Sequence, residues 1–305
     1  MAGSSPVVTA RLTKRAEPRV VAAVALAVLA VLSLALVLVR FVPAEDGRAA
    51  LQALAQGLSS HGFCSAAAAG LAAQTVDGAL GMAYGITSTT FLLSTGVPPA
   101  AASASVHVAE IFTTAFSGVS HWRLGNVDGA LFRRLLIPGV IGAVAGATVL
   151  TSIDGDTIKP FVSVYLLGMG LYVLSKAFRT IRPRRDPPKA VVPLALTGGF
   201  VDAVGGGGWG PVVTTSLVGS GQEPRTAIGS VNAAEFFVAL AGGLSLTLLG
   251  GLTHWTTIAG LVVGGLFAAP IAAMLVRVLP ARVLMAVVGV LIASLSAYSL
   301  AKLLM

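Results

Sequence analysis

Charge is scarce in this chain. Only 10% of its 305 residues are Asp, Glu, Lys or Arg, against about a quarter in a soluble globular protein. So few charges cannot cover a water-facing surface, which excludes an ordinary soluble fold. Cysteine is nearly absent. The single Cys64 excludes an intramolecular disulfide and any zinc or iron–sulfur site built from cysteines. No Gly-x-Ser-x-Gly nucleophile motif occurs, and no Walker lysine or βαβ pattern accompanies the glycine-rich stretches. Lys and Arg are missing altogether from residues 190–221.

What is present points to lipid. Apolar residues make up 55% of the chain, and 36 glycines and many alanines supply the small side chains through which helices in a bilayer approach closely. The formal charge is +8. The basic residues sit in short runs between apolar stretches, as in cytoplasmic loops, so no nucleic-acid partner is expected. Arg11, Lys14, Arg15 and Arg19 precede an unbroken apolar run over 20–39. A cleaved signal has an apolar core of roughly 7–15 residues, whereas a crossing helix needs about 20. Val42-Pro43-Ala44 is a poor cleavage site, so residues 1–60 are expected to form an N-terminal transmembrane helix and a connector.

Further apolar stretches cover 64–95, 104–120, 131–150, 158–178, 191–220, 226–250, 257–276 and 283–303. The longest charged, proline-rich run lies between the fourth and fifth of these. It divides the chain into a first repeat (61–180), a basic cytoplasmic linker (181–190) and a second repeat (191–305). Sliding the sequence by 125 positions lays 76–112 on 201–237 without a gap, with 15 identities in 37 positions. Matched pairs include Asp77/Asp202, Gly81/Gly206, Gly85/Gly210, Thr89/Thr214, Thr90/Thr215, Gly96/Gly221, Pro99/Pro224, Ser105/Ser230 and Glu110/Glu235. Tyr84 falls on Trp209. Chance similarity between apolar sequences would match Leu, Val and Ala, not acids and glycines.

Charge also orients the repeats. The stretches 64–95 and 191–220 are each about 30 residues long and broken by glycine near the middle. If each is a re-entrant hairpin and the N-terminus is cytoplasmic, all but four of the 20 Lys and Arg residues lie inside. The four exceptions are Arg40, Arg48, Lys159 and Lys302. The positive-inside rule favours that arrangement. Each repeat then has one hairpin and three crossings, an odd number, so the two are oppositely oriented. The expected fold is an all-α, multi-pass inner-membrane protein with inverted repeats, a plan common among secondary transporters.

The stretch from Gly198 to Pro211 carries the strongest chemical signal, because it holds Gly205, Gly206, Gly207 and Gly208 in succession before Trp209, Gly210 and Pro211. Each glycine costs about 1 kcal/mol in a helix interior relative to alanine. Broken backbone at membrane depth must lie inside protein or line a watery cavity. A helix restarting at Pro211 would aim free N–H groups at the break, which suits an anion. Isolated glycines such as Gly142 and Gly146 are read as packing.

The acids Asp77, Asp202, Glu110 and Glu235 stand inside apolar stretches, where an ionised carboxylate is costly. They handle protons or substrate, or they staple freed backbone; stapling is the favoured reading for Asp202, which directly precedes the break. Asn232 and Glu235 share a helix face, and His107 and Glu110 repeat that spacing. His107 either titrates near neutral pH or serves as a neutral hydrogen-bond partner. The His121-Trp122 and His254-Trp255 pairs read as interfacial anchors. No cluster has metal-ligand spacing, so neither a metal nor a cofactor is expected.

At these residues the chain resembles the TauE/SafE family of sulfite exporters, also called the toluene-sulfonate uptake permease family. The likeness runs from about Cys64 to the C-terminus. It is carried best by Asp202, the glycine run, Trp209-Gly210-Pro211, Pro224, and Gly229-Ser-Val-Asn232 with Glu235. The first half departs from the pattern. Leu80-Gly-Met-Ala replaces the glycine run, Ile86 stands opposite Pro211, and His107 opposite Asn232. The resemblance implies transport of sulfite or an organosulfur anion driven by an ion gradient, with protons or Na+ as coupling ion.

The expected substrate site is Gly81, Tyr84, Gly85, Thr89, Thr90, Gly206, Gly207, Gly208, Trp209, Gly210, Thr214, Thr215, Ser230 and Asn232. Coupling is expected at Glu110, Glu235, Asp77, Asp202 and His107. Two other classes compete: a cation/proton exchanger using the same carboxylates, and an intramembrane lipid-pyrophosphate phosphatase. The phosphatase would want arginines at membrane depth to hold phosphates, and residues 190–221 supply none.

Overall fold

The computed structural model describes residues 52, 55–80, 82–178, 190–251, 254–278 and 281–304. From Leu58 onward these belong to one unit. The apolar run 20–39 and the basic linker up to 189 lie outside the described residues.

Every regular element among the described residues is helical. The first half comprises α1 (His61–Leu80), α2 (Tyr84–Ser94), α3 (Pro99–Arg123), α4 (Gly129–Ser152) and α5 (Gly155–Ala177). The second half comprises α6 (Val191–Gly205), a π-helical turn (Gly210–Thr214) continued by α7 (Thr215–Gly219), then α8 (Pro224–Gly250), α9 (Trp255–Val278) and α10 (Ala281–Leu304). Each half is thus a broken pair followed by three helices, in the order the apolar stretches predicted. Among the described residues, four helices are long and apolar enough to cross a membrane: Gly129–Ser152, Gly155–Ala177, Pro224–Gly250 and Arg282–Leu303. The large apolar side chains Ile137, Ile141, Phe161, Val164, Leu171 and Leu248 point outward, as a lipid-facing surface requires.

Local signals set the helix ends, and the two halves use the same ones. Past α2, Gly96 takes φ +96° while its N–H reaches Leu93 O (3.1 Å) and that of Val97 reaches Leu92 O (3.0 Å). Past α7, Gly221 takes φ +100° with N–H bonds from Gly221 to Val218 O and from Gln222 to Leu217 O, both 3.1 Å. These are paired Schellman stops, in which the left-handed residue must be glycine or pay a steric penalty. Pro99 and Pro224 then open α3 and α8 at a position where no N–H is needed. Carboxylates cap the connectors: Asp128 accepts from Ala130 N (2.8 Å), Asp154 from Asp156 N (3.1 Å) and Glu223 from Thr226 N (2.9 Å). The backbone and hydroxyl of Thr226 hold the Glu223 carboxyl below its ordinary range.

The helices pair in a scheme that is unchanged when the halves are exchanged. Helix α1 packs chiefly on α9, and its counterpart α6 packs on α4, the counterpart of α9. Helix α3 packs on its own counterpart α8, and α5 on its counterpart α10. Gly118 approaches Ala233, while His107 lies on Gly242 and Gly243, so α3 and α8 run antiparallel. Gly170 approaches Ala293 and Gly289 approaches Leu174, so α5 and α10 are antiparallel as well.

Glycine makes the closest of these approaches possible. A Cβ on Gly142 would strike Leu196 O, one on Gly146 Phe200 O, and one on Gly199 Gly139 O. In the matching pair, a Cβ on Gly264 would strike Ala67 O and one on Gly70 Leu261 O. Gly142 and Gly146 are therefore packing residues, as their isolation in the sequence implied.

Candidate substrate and coupling site

The second break begins one turn before the end of α6. The N–H groups of Gly206 and Gly207 both return to Asp202 O, the latter at 2.9 Å, and Gly206, Gly207 and Gly208 take φ values of +64°, +144° and +151°. Successive positive φ values explain why glycine fills this run. Asp202 Oδ1 then accepts the N–H of Trp209 at 2.8 Å. The chain folds back here, because Val213 lies on Gly198.

The first break has the same plan with different residues. Asp77 Oδ1 accepts the N–H of Tyr84 at 3.4 Å, and Gln74 donates to Asp77 Oδ2 at 3.5 Å. Ala83 stands where the second half has Gly208 and takes φ +91°, at a cost of roughly 1–2 kcal/mol for a residue with a Cβ. The matched acids and aromatics of the repeat thus have one physical meaning. Each carboxylate satisfies the amide of the aromatic seven residues on, and the stapling reading of Asp202 holds. The expectation of free N–H groups at the restart needs correction at Tyr84 and Trp209. A buried amide must be bonded, and the chain's own carboxylate takes each of these two.

The two breaks meet. Thr89 donates its hydroxyl to Gly206 O, and a Cβ on Gly85 would lie 2.6 Å from Gly207 Cα and 2.8 Å from Glu110 Oε1. Trp209 is fully buried, with its ring on Gly139 and Gly198 and its Nε1–H donated to Val231 O at 3.2 Å. Tyr84 donates its hydroxyl to Leu261 O at 3.4 Å. Thr90 bonds back to Ile86 O (2.6 Å); Thr214 and Thr215 are buried, and the Thr214 hydroxyl has no partner among the described residues. Gly210 opens the restarted helix and is buried. Gly81 lies outside the described residues.

The side chains of two further expected site residues bond to other elements. Ser230 accepts the N–H of Asp128 at 2.9 Å, on the connector before α4. Asn232 donates to Ser117 Oγ at 3.2 Å. Sequence reasoning missed Tyr165 of α5, whose hydroxyl donates to Gly207 O at 2.9 Å. A tyrosine within an apolar run was its only signal, since it lies outside the ungapped match of 76–112 with 201–237.

The acids converge around the breaks. His107 Nε2 lies 3.2 Å from Asp202 Oδ2, and one ligand atom each of His107, Glu110 and Asp202 lie within 4.8 Å of one another. All three residues are buried, and Glu110 Oε2 has no hydrogen-bond partner among the described residues. Asp77 and Glu235, their counterparts in the repeat, are only partly buried. The charges of Glu110, Asp77, Asp202 and Glu235 act on one another. Neither broken segment carries a Lys or Arg, so His107 is the only basic side chain at this centre among the described residues.

Comparison with known proteins agrees with this architecture. Residues 66–299 match the family model described as "Sulfite exporter TauE/SafE". The chain is also 46% identical over 217 residues to "Probable membrane transporter protein YtnM" of Bacillus subtilis (strain 168), an alignment covering 68% of this chain and 72% of that protein. No solved structure matches.

Proposed function

The chain belongs to the sulfite exporter TauE/SafE family, and is thus a multi-pass membrane transporter and not an enzyme; from that premise we propose that it carries a small anion, sulfite or an organosulfur anion, by alternating access driven by an ion gradient. The observation that carries this reading is the meeting of the two breaks, Gly85 against Gly206 and Gly207, with Thr89 bridging them. Carriers built from repeats keep their sites where discontinuous helices face each other. The antiparallel pairing of α3 with α8 and of α5 with α10 supports inverted repeats, since helices related by an axis in the membrane plane must run in opposite directions. We place the N-terminus on the cytoplasmic side of the inner membrane, on the distribution of basic residues.

An anion entering this centre meets four carboxyls. A proton taken up with the anion offsets its charge beside them, which ties substrate entry to proton entry. The same acids favour a second reading, a cation/proton exchanger. Flux in proteoliposomes separates the two. Sulfite, thiosulfate, methanesulfonate and carboxylates are tested with and without a pH gradient, beside Na+, K+ and Ca2+. Saturable uptake of a sulfur oxyanion is the expected result; gradient-driven uptake of a cation with no anion transported would establish the exchanger instead.

The topology has its own expected result. On a cysteine-free background, single cysteines at Arg184 and Gly221 should react only from the cytoplasm, and those at Asp154, Arg48 and Gly96 only from outside. Labelling of Arg48→Cys and Gly96→Cys from opposite sides would rule out a re-entrant first pair.

A further inference from the structure

We propose that His107 and Asp202 form the proton site of the carrier: one proton shared between His107 Nε2 and Asp202 Oδ2 links α3 of the first half to the break of the second. The inference rests on the carrier reading above and names its coupling ion.

The hydrogen bonds around His107 fix the proton count. Ser103 gives its one hydroxyl hydrogen to Ala203 O at 2.6 Å. His107 Nδ1 lies 2.8 Å from Ser103 O, a carbonyl that can only accept, so Nδ1 carries a hydrogen. At the other end of the ring, Nε2 faces Asp202 Oδ2 at 3.2 Å. A neutral ring with its hydrogen on Nδ1 and an ionised carboxylate would set two acceptors against each other. The contact needs one further proton, on Nε2 or on Oδ2, and in either place the pair is neutral overall. Asp202 Oδ1 is meanwhile held by Trp209 N–H, so the geometry of the break and the protonation of the pair are linked through one carboxyl.

Geometry also selects the ion. An imidazole nitrogen is a poor ligand for Na+, which takes oxygen. The second half cannot repeat the device. Its residue at this position is Asn232, which has no titratable group and donates to Ser117 instead. One proton site for two breaks gives one proton per cycle.

Other groups bear on the pair. Glu110 lies beside it on α3, with one oxygen unpartnered. The charges of Asp77 on α1 and Glu235 on α8 act on Asp202 or Glu110. The hydroxyl of Tyr165 on α5 lies within the influence of Asp202, Tyr84 on α2 within that of Glu110 and Asp77, and Gly242 of α8 covers the ring. As pH rises the shared proton leaves and the acceptors repel, so the link between the halves opens at high pH and closes at low pH.

Two measurements on the full chain in nanodiscs test this. The first is 15N NMR of the four histidines across pH, without substrate, with His107→Asn identifying the signal. The expected result is a ring hydrogen on Nδ1 and a titration that moves when Asp202→Asn is introduced. A His107 signal unaffected by Asp202→Asn overturns the proposal. The second is uptake of methanesulfonate, whose charge is constant over the range. Accumulation should rise about tenfold per pH unit of gradient for one proton per anion, and His107→Asn should bring the ratio with and without the gradient to one. A gradient response that survives in His107→Asn, a drive by Na+ in place of pH, or stoichiometric zinc held through purification would each overturn the assignment. If no anion is carried at all, the carrier reading fails, while the NMR result still decides whether the pair holds a proton.

Discussion

Gly207→Val is expected to abolish anion flux. A Cβ at position 207 would fall on Ile86 N and the Gly85 carbonyl carbon, and the φ of +144° is one that side-chain-bearing residues rarely adopt. Neither neighbour is a flexible side chain that can move aside. The cost combines overpacking with backbone strain, about 3 kcal/mol or more. The backbone can relieve it only by separating the two breaks. That separation also removes the bonds of Thr89 to Gly206 O and of Tyr165 to Gly207 O, so the centre loses its shape on both sides. The measurement is methanesulfonate or sulfite flux per folded protein, with folding checked by size-exclusion profile and thermal midpoint. Gly207→Ala keeps the φ problem and the first carbon of the clash but removes the branches, and should fall between. A folded Gly207→Val protein with native flux would show that contact between the breaks is not needed for transport.

Much of the helical plan was legible in the sequence because membrane proteins write it in composition. The apolar stretches, the linker and the offset of 125 need only the hydropathy and identity of residues. The matched residues proved to be structural instructions. Gly96 and Gly221 are Schellman glycines, Pro99 and Pro224 start helices, and Asp77 and Asp202 close the breaks. Where the halves differ, as at Ala83 against Gly208, backbone strain replaces glycine and keeps the bend. A string of letters does not display that exchange.

The contacts between halves were not legible. His107 and Asp202 are 95 positions apart, and nothing in their local sequence shows that α3 carries one to the other. Ser230 illustrates the opposite failure. It belongs to a matched pair next to Asn232, so it looked like part of a site, yet it fastens α8 to the connector through Asp128. Identity between repeats records what the fold needs twice. On the proton-site proposal, function lies as much in the places where the halves disagree, because two identical halves would bind a proton equally at both breaks.

The second large effect concerns packing away from the breaks. Gly142→Val should destabilise the protein strongly. Its Cβ would meet Leu196 O and come within 2.8 Å of Phe200 N, which are backbone atoms of α6. Helix α6 cannot withdraw freely, because Gly199 meets Gly139 O and Gly146 meets Phe200 O beside the contact, and Trp209 rests on Gly139. Overpacking against backbone costs about 3 kcal/mol, or roughly 10 °C in thermal midpoint for a chain of this size. Gly264→Val is the control built into the repeat, since it strikes Ala67 O on α1 in the matching helix pair and should cost a similar amount. Gly168 has open space around its Cβ position, and Gly168→Val should leave the midpoint within about 2 °C. Thermal midpoints of the three purified variants, read by the loss of helical circular dichroism on heating, make the comparison. Equal midpoints for Gly142→Val and Gly168→Val would mean that α4 and α6 are not in the tight contact described here, and the position of the second break would have to be redrawn.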